Sequence, residues 1–164
     1  MKYIKASGLE ENEVYYFEID AHMVAYRQVS VVDGQCLVSV APDFHLIETE
    51  VELFEGDEEI APEAFNEMWR KAVMPYKEAW NKAKLLYPPG KNVVGTILMF
   101  YPQGVIIQLD QEAFAVADDP GLRSKTPPMW MYPGYRVEGR IERADENNLM
   151  LVLENCRVTG DKDG

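Results

Sequence analysis

The sequence is poor in the residues that carry most site chemistry. Among 164 residues there are two cysteines, Cys36 and Cys156, 120 positions apart. Two such distant thiols make no disulfide framework, and a reducing, cytoplasmic setting is expected. Both lie in apolar strand contexts, where a thiol is ordinarily inert packing. Long apolar runs are also missing. Val93 to Phe100 is among the longest, far short of the roughly 18 to 20 residues that a membrane-spanning helix requires. The opening Met1-Lys2-Tyr3-Ile4-Lys5-Ala6-Ser7 turns acidic at Glu10 and has no apolar core of the signal-peptide kind, so no membrane partner is expected.

Histidine is scarce as well. His22 and His45 are the only two, and neither is set in a nucleophile motif with serine or cysteine. His45 has Asp43, Glu48 and Glu50 nearby in sequence. An extended chain separates Glu48 from Glu50 by about two 3.3 Å rises, too far for a compact metal site. Pro89-Gly90-Lys91 lacks the upstream glycine and the helix of a phosphate-cradling loop. The residues therefore point to a protein that is not an enzyme and needs neither a metal nor another cofactor.

Positive charge is the third shortage. The chain has 16 basic and 28 acidic side chains, a formal net charge of −12. Residues 1–87 hold 8 basic and 17 acidic groups, whereas 88–157 hold 7 and 9. Nucleic-acid binding draws much of its free energy from lysine and arginine displacing counterions. The first half would repel a polyanion, and only the second half approaches one without a net penalty. The acidity serves solubility, or else a docking face for a basic partner.

What is present is mostly strand. Val14-Tyr15-Tyr16-Phe17-Glu18-Ile19-Asp20 and Val24 to Val32 are rich in aromatic and β-branched residues. Asp33-Gly34 then joins the second run to Gln35–Val40, a hairpin signal. Arg27 and Gln28 would make good hydrogen-bond donors at a domain interface. Leu46 to Phe54 alternates, with Glu48, Glu50 and Glu52 on one face, and Glu55 to Glu59 reads as a polar loop. Residues 62–86 carry apolar residues at three- and four-residue spacing, an amphipathic helix opened by Pro62 and kinked or split by Pro75. Pro88-Pro89-Gly90 ends it.

The last third alternates again. Val93–Tyr101, Val105–Leu109, Ala113–Ala117, Tyr135–Ala144 and Leu149–Leu153 read as five short strands. A long irregular loop with four prolines, Asp118 to Pro133, follows the third. Such a set suits a small closed barrel. The fold class expected is mainly β with one helical segment: an antiparallel sheet plus kinked helix over 1–87, a five-stranded barrel over 91–158, and a disordered tail over 159–164.

Residues 91–157 resemble the S1-type RNA-binding domain, an OB-fold barrel. The resemblance rests on Val93-Val94-Gly95-Thr96-Ile97, on Gln103-Gly104-Val105-Ile106-Ile107, on Met131-Tyr132-Pro133-Gly134-Tyr135-Arg136-Val137-Glu138-Gly139, and on the Asp145 turn before Leu149 to Leu153. It implies single-stranded RNA bound on strands two and three by two stacking aromatics and a histidine, with an Asp and an Arg at the last turn. By spacing, those positions fall on Gln103, Ile106, Val116, Asp145 and the vicinity of Leu149. Only Asp145 keeps its type, and Gln, Ile and Val cannot stack on bases.

Two functions from different classes follow. In one, the chain is a cytoplasmic RNA-binding adaptor whose contacts lie on Tyr101, Gln103, Arg123, Lys125, Trp130, Tyr132, Arg136, Arg140 and Asp145, where cations interleave with aromatics. In the other, it is a protein-interaction module whose acidic first domain docks a basic partner.

Overall fold

A computed structural model describes residues 1–8, 10–46 and 50–162. The chain is mainly β and divides into two compact units, Met1–Tyr76 and Lys77–Gly164.

The first unit is a five-stranded antiparallel sheet. Its strands are β1 (Lys2–Ser7), β2 (Glu13–Ile19), β3 (Ala25–Val32), β4 (Gln35–Val38) and β5 (Glu58–Ile60), in the order β4-β3-β2-β1-β5. The Asp33-Gly34 hairpin forms as expected, with both residues at positive φ (51° and 78°), the backbone a tight two-residue turn demands. Helix α1 (Pro62–Val73) packs on this sheet. On the opposite face Ile4, Phe17, Ile19, Ala25 and Val51 form an apolar cluster. The polar row Tyr3–Glu18–Arg27 runs across β1, β2 and β3 at matched register. Tyr3 and Arg27 meet the α1 ring of Phe65, which puts this row beneath the helix.

Two expectations for this unit need correction, and one strand was not anticipated. The unanticipated strand is residues 2–7, which form β1 and pair antiparallel with β2 from Lys2–Ile19 to Ser7–Val14. The strand expected over Leu46–Phe54 is absent from its described part. Glu50 makes one bridge to Val24, and Val51 instead drops into the apolar cluster with its N–H on the Met23 carbonyl (2.7 Å); residues 47–49, including Glu48, lie outside the described residues. The polar loop expected at 55–59 ends in β5, held by pairing with Tyr3–Lys5.

Pro75 splits the helical segment as expected. Its ring and missing N–H cannot continue an α-helix, and a 3-10 turn, Met74–Tyr76, separates α1 from α2 (Lys77–Leu86). The second helix, which the sequence limits group with the sheet, belongs to the second unit. Its Trp80 Nε1 and Lys84 Nζ both donate to Glu146 (2.7 and 2.8 Å).

The rest of that unit is a ring of five strands: β6 (Asn92–Tyr101), β7 (Gly104–Gln108), β8 (Phe114–Ala117), β9 (Tyr135–Asp145) and β10 (Met150–Lys162). It closes in the order β10-β8-β7-β6-β9, with β10 parallel to β8 and every other pair antiparallel. The stretch expected to be irregular contains a short helix, α3 (Asp119–Arg123), capped by Asp118, and a 3-10 turn at Pro128–Trp130. The tail expected to be disordered is ordered as far as it is described. β10 runs on to Lys162, which pairs with Tyr135 and lies 5.7 Å from its ring. Among the described residues no helix is long and apolar enough to cross a membrane.

Candidate functional site

The residues singled out for nucleic acid are all in the second unit, and several already have structural work. Asp145 accepts from the N–H groups of Asn147 (3.0 Å) and Asn148 (3.2 Å) and from Asn148 Nδ2 (2.8 Å). It holds the β9–β10 turn. Arg140 faces Glu154 across to β10 (3.5 Å), beside a second cross-strand pair, Arg157–Glu138 (2.8 Å). Arg136 is exposed on β9 opposite Thr96 of β6. Trp130 packs so closely on the β10 backbone that a side chain at Gly160 would collide with its ring. Tyr101 is half-buried at the end of β6, and burial pushes its hydroxyl up to about 12.

Ile106 and Val116, where the second stacking aromatic and the histidine of the resembling family would be, are 0 % and 8 % exposed. They are neither aromatic nor accessible to a base. Gln103 sits in the turn between β6 and β7. Lys125 and Tyr132 are exposed, and Arg123 pairs with Asp119 one helical turn earlier (2.8 Å).

Sequence reasoning missed one ring. Phe100, 36 % exposed, lies 5.5 Å from the Arg123 guanidinium. An arginine over an aromatic face is a favourable cation–π pair. Its signal was available in the Phe100-Tyr101 ending of the strand.

The first unit holds a concavity. A cavity of about 570 Å³ is lined by Ala6, Ser7, Gly8, Glu13, Tyr15, Phe17, Glu52, Phe54, Glu55 and Asp57. Ala6, Tyr15 and Phe17 come from the apolar face of the sheet and give it a floor. Glu13, Glu52, Glu55 and Asp57 supply four carboxylates, and among the described residues no lysine or arginine lines it. Tyr15 O–H donates to Glu13 Oε2 (3.1 Å). Gly8 lies beneath both side chains, where a Cβ would collide with Glu13 and Tyr15. Phe54 is 64 % exposed on a turn tied at both ends. Its N–H donates to Asp57 Oδ2 (2.9 Å), and its carbonyl accepts the Asp57 N–H (3.1 Å).

The charge of this unit suits that lining. Residues 1–76 hold 16 acidic and 5 basic side chains, against 12 and 11 in residues 77–164. One of the five cations, Arg27, is buried against Glu18 and so does nothing for the surface. Among the described residues no group of three or more His, Cys, Asp or Glu could hold a metal ion.

No family model matches this chain, and no curated protein matches it in sequence.

Proposed function

We propose that the protein is a non-enzymatic, cytoplasmic docking module. Its acidic first unit captures a basic partner protein, and its second unit is an S1-like OB-fold barrel acting as scaffold rather than as RNA reader. The observation that carries this reading is the concentration of charge: 16 carboxylates against 5 cations in 76 residues, four of the carboxylates around one apolar-floored cavity. Such a field raises the encounter rate of a basic surface and disfavours an acidic one.

Support for the barrel is the order of its ring, antiparallel except for the β8–β10 pair. Its role as scaffold is supported by Ile106 and Val116, aliphatic and buried. Stacking contributes about 1 to 3 kcal/mol per base, and neither side chain has a ring to supply it. Both cysteines are free, which suits a reducing compartment.

The test is affinity capture on the full chain from native lysate at low salt, followed by a salt gradient and identification of what elutes. Basic proteins released as salt screens the interface are the expected result. Recovery of no salt-sensitive partner would discard the reading.

A second reading keeps RNA as the ligand, on the strength of the Arg123–Phe100 pair with Lys125 and Tyr132 exposed in the same unit. Single-stranded nucleic acid needs such cations beside ring faces. It has less behind it, because Arg123 is already paired with Asp119.

A further inference from the structure

The docking reading leaves open what enters the cavity of the first unit, and the inference here rests on that reading. The geometry points to one extended, basic segment of a partner protein, whose lysine or arginine side chain lies across Tyr15 and Phe54 and ends among Glu13, Glu52 and Glu55.

Four observations converge on this occupant. The first is size. A cavity of about 570 Å³ is far larger than any single ion and falls within the roughly 300 to 1,000 Å³ typical of sites for organic ligands. The second is its two-part chemistry. Lysine and arginine bury an apolar stem while keeping a charged head in polar surroundings, and here an apolar floor of Ala6, Tyr15 and Phe17 rises to a carboxylate rim. An anion would meet only repulsion. A purely apolar ligand would leave the carboxylates stripped of water and unpaired.

The third is Phe54. This phenylalanine, 64 % exposed, is presented on a turn that Asp57 fastens from both sides. Its ring is thus pre-positioned to take the face of a guanidinium or the stem of a lysine, without the ordering cost of a loose loop. Asp57 is accordingly a positioning residue. The fourth is the sheet edge. β5 pairs only with Tyr3–Lys5, so among the described residues β1 has no strand partner on that side beyond Lys5. Ala6, Ser7 and Gly8, the next three residues, line the cavity. An extended peptide can continue along that edge and add main-chain hydrogen bonds, which a free amine cannot do.

The probe is an acetylated, amidated heptapeptide of alternating lysine and threonine, titrated into the ¹⁵N-labelled full chain at low salt. Shift changes are expected at Ser7, Gly8, Tyr15, Phe54 and Glu55. The Glu52→Lys/Glu55→Lys variant and Phe54→Ala are each expected to weaken binding about tenfold or more, whereas Glu63→Lys/Glu67→Lys on α1, with the same change in charge, stays within about twofold. Equal loss from both double variants would overturn the cavity as the site while leaving the acidic docking face standing. Equal shifts from spermidine would assign the cavity to a free polyamine and overturn the peptide. If the wild-type chain binds no cationic peptide at all, the docking reading falls with it.

Discussion

Arg27 and Glu18 meet beneath helix α1 through two parallel hydrogen bonds, Nε to Oε1 at 3.0 Å and Nη2 to Oε2 at 2.7 Å. The pair is elaborated on both sides. Tyr3 O–H donates to Glu18 Oε2 (3.0 Å), Arg27 Nη2 also donates to Asn66 Oδ1 (3.1 Å), and the guanidinium lies 5.0 and 5.1 Å from the rings of Phe65 and Trp69. It fastens the helix to the sheet that bears the acidic cavity.

Removing one partner strands the other charge in a dry site. Glu18→Gln is expected to cost about 3 kcal/mol, read as a fall in the urea midpoint. A paired Arg27→Met/Glu18→Leu replacement should recover most of it, since an apolar pair of similar volume leaves nothing unpaired. A loss from Glu18→Gln of no more than a few tenths would contradict the burial.

Trp80 is the corresponding fastener in the second unit, donating to Glu146 in the turn between β9 and β10. Trp80→Phe removes a buried donor's bond and some packing, about 2 kcal/mol in all. The Lys84–Glu146 bond is more exposed and contributes little. Hydrogen bonds from Lys84 and then from Trp80 hold the Glu146 carboxyl below its usual range. A depressed folded value stabilises above the unfolded one and is lost as pH falls through the folded value. The gap between wild type and Trp80→Phe should therefore narrow below about pH 4, followed by denaturant melts at several pH values.

Tyr87 and Tyr101 should ionise late, together with Tyr3 and Tyr76, whose hydroxyls burial also raises. The hydrogen bond to Asp110, aided by burial, pushes Tyr87 up to about 12, and burial alone does the same to Tyr101. Both values are raised, so their contribution to stability is whole below pH 10 and drains as pH climbs from 10 towards 12. Absorbance at 295 nm should show this as a delayed fraction of the nine tyrosines. Tyr87→Phe and Tyr101→Phe should each remove part of the delayed step. A single transition near pH 10 would contradict both environments.

The two thiols should part company. Cys156 is buried, and that burial pushes its thiol up to about 11, while Cys36 is only half-buried. Only a thiolate reacts with a disulfide reagent, so at pH 8 Cys36 should label first and Cys156 only on unfolding. The variants Cys36→Ser and Cys156→Ser identify which thiol is which.

The ring of strands was legible because each strand alternates or runs apolar between strong turn signals. The Pro75 break and the Asp33-Gly34 hairpin were legible because a single residue type forces each backbone. β1 was missed because Lys2 and Lys5 dilute a six-residue alternation whose partner is fixed only by the fold. The segment around Val51 misled for a related reason: alternation marks which side is apolar, and it does not say whether a neighbouring strand edge is free to pair. Ile106 and Val116 could be seen in sequence to lack rings, but that they are buried depends on packing. The cavity escaped because its lining comes from residues 6–17 and 52–57, two stretches brought together only by tertiary structure. Exposed Phe54 within an acidic run was its one local sign.

The most direct test of the account sets its two ligand classes side by side. Fluorescence anisotropy on the full chain, at about 20 and about 300 mM salt, compares the lysine–threonine heptapeptide with a single-stranded oligo-RNA. The peptide is expected to bind at low salt and be released at high salt, and the RNA not to bind at tens of micromolar, roughly the range of weak nucleic-acid affinity. Salt-sensitive RNA binding with no peptide binding would contradict that expectation.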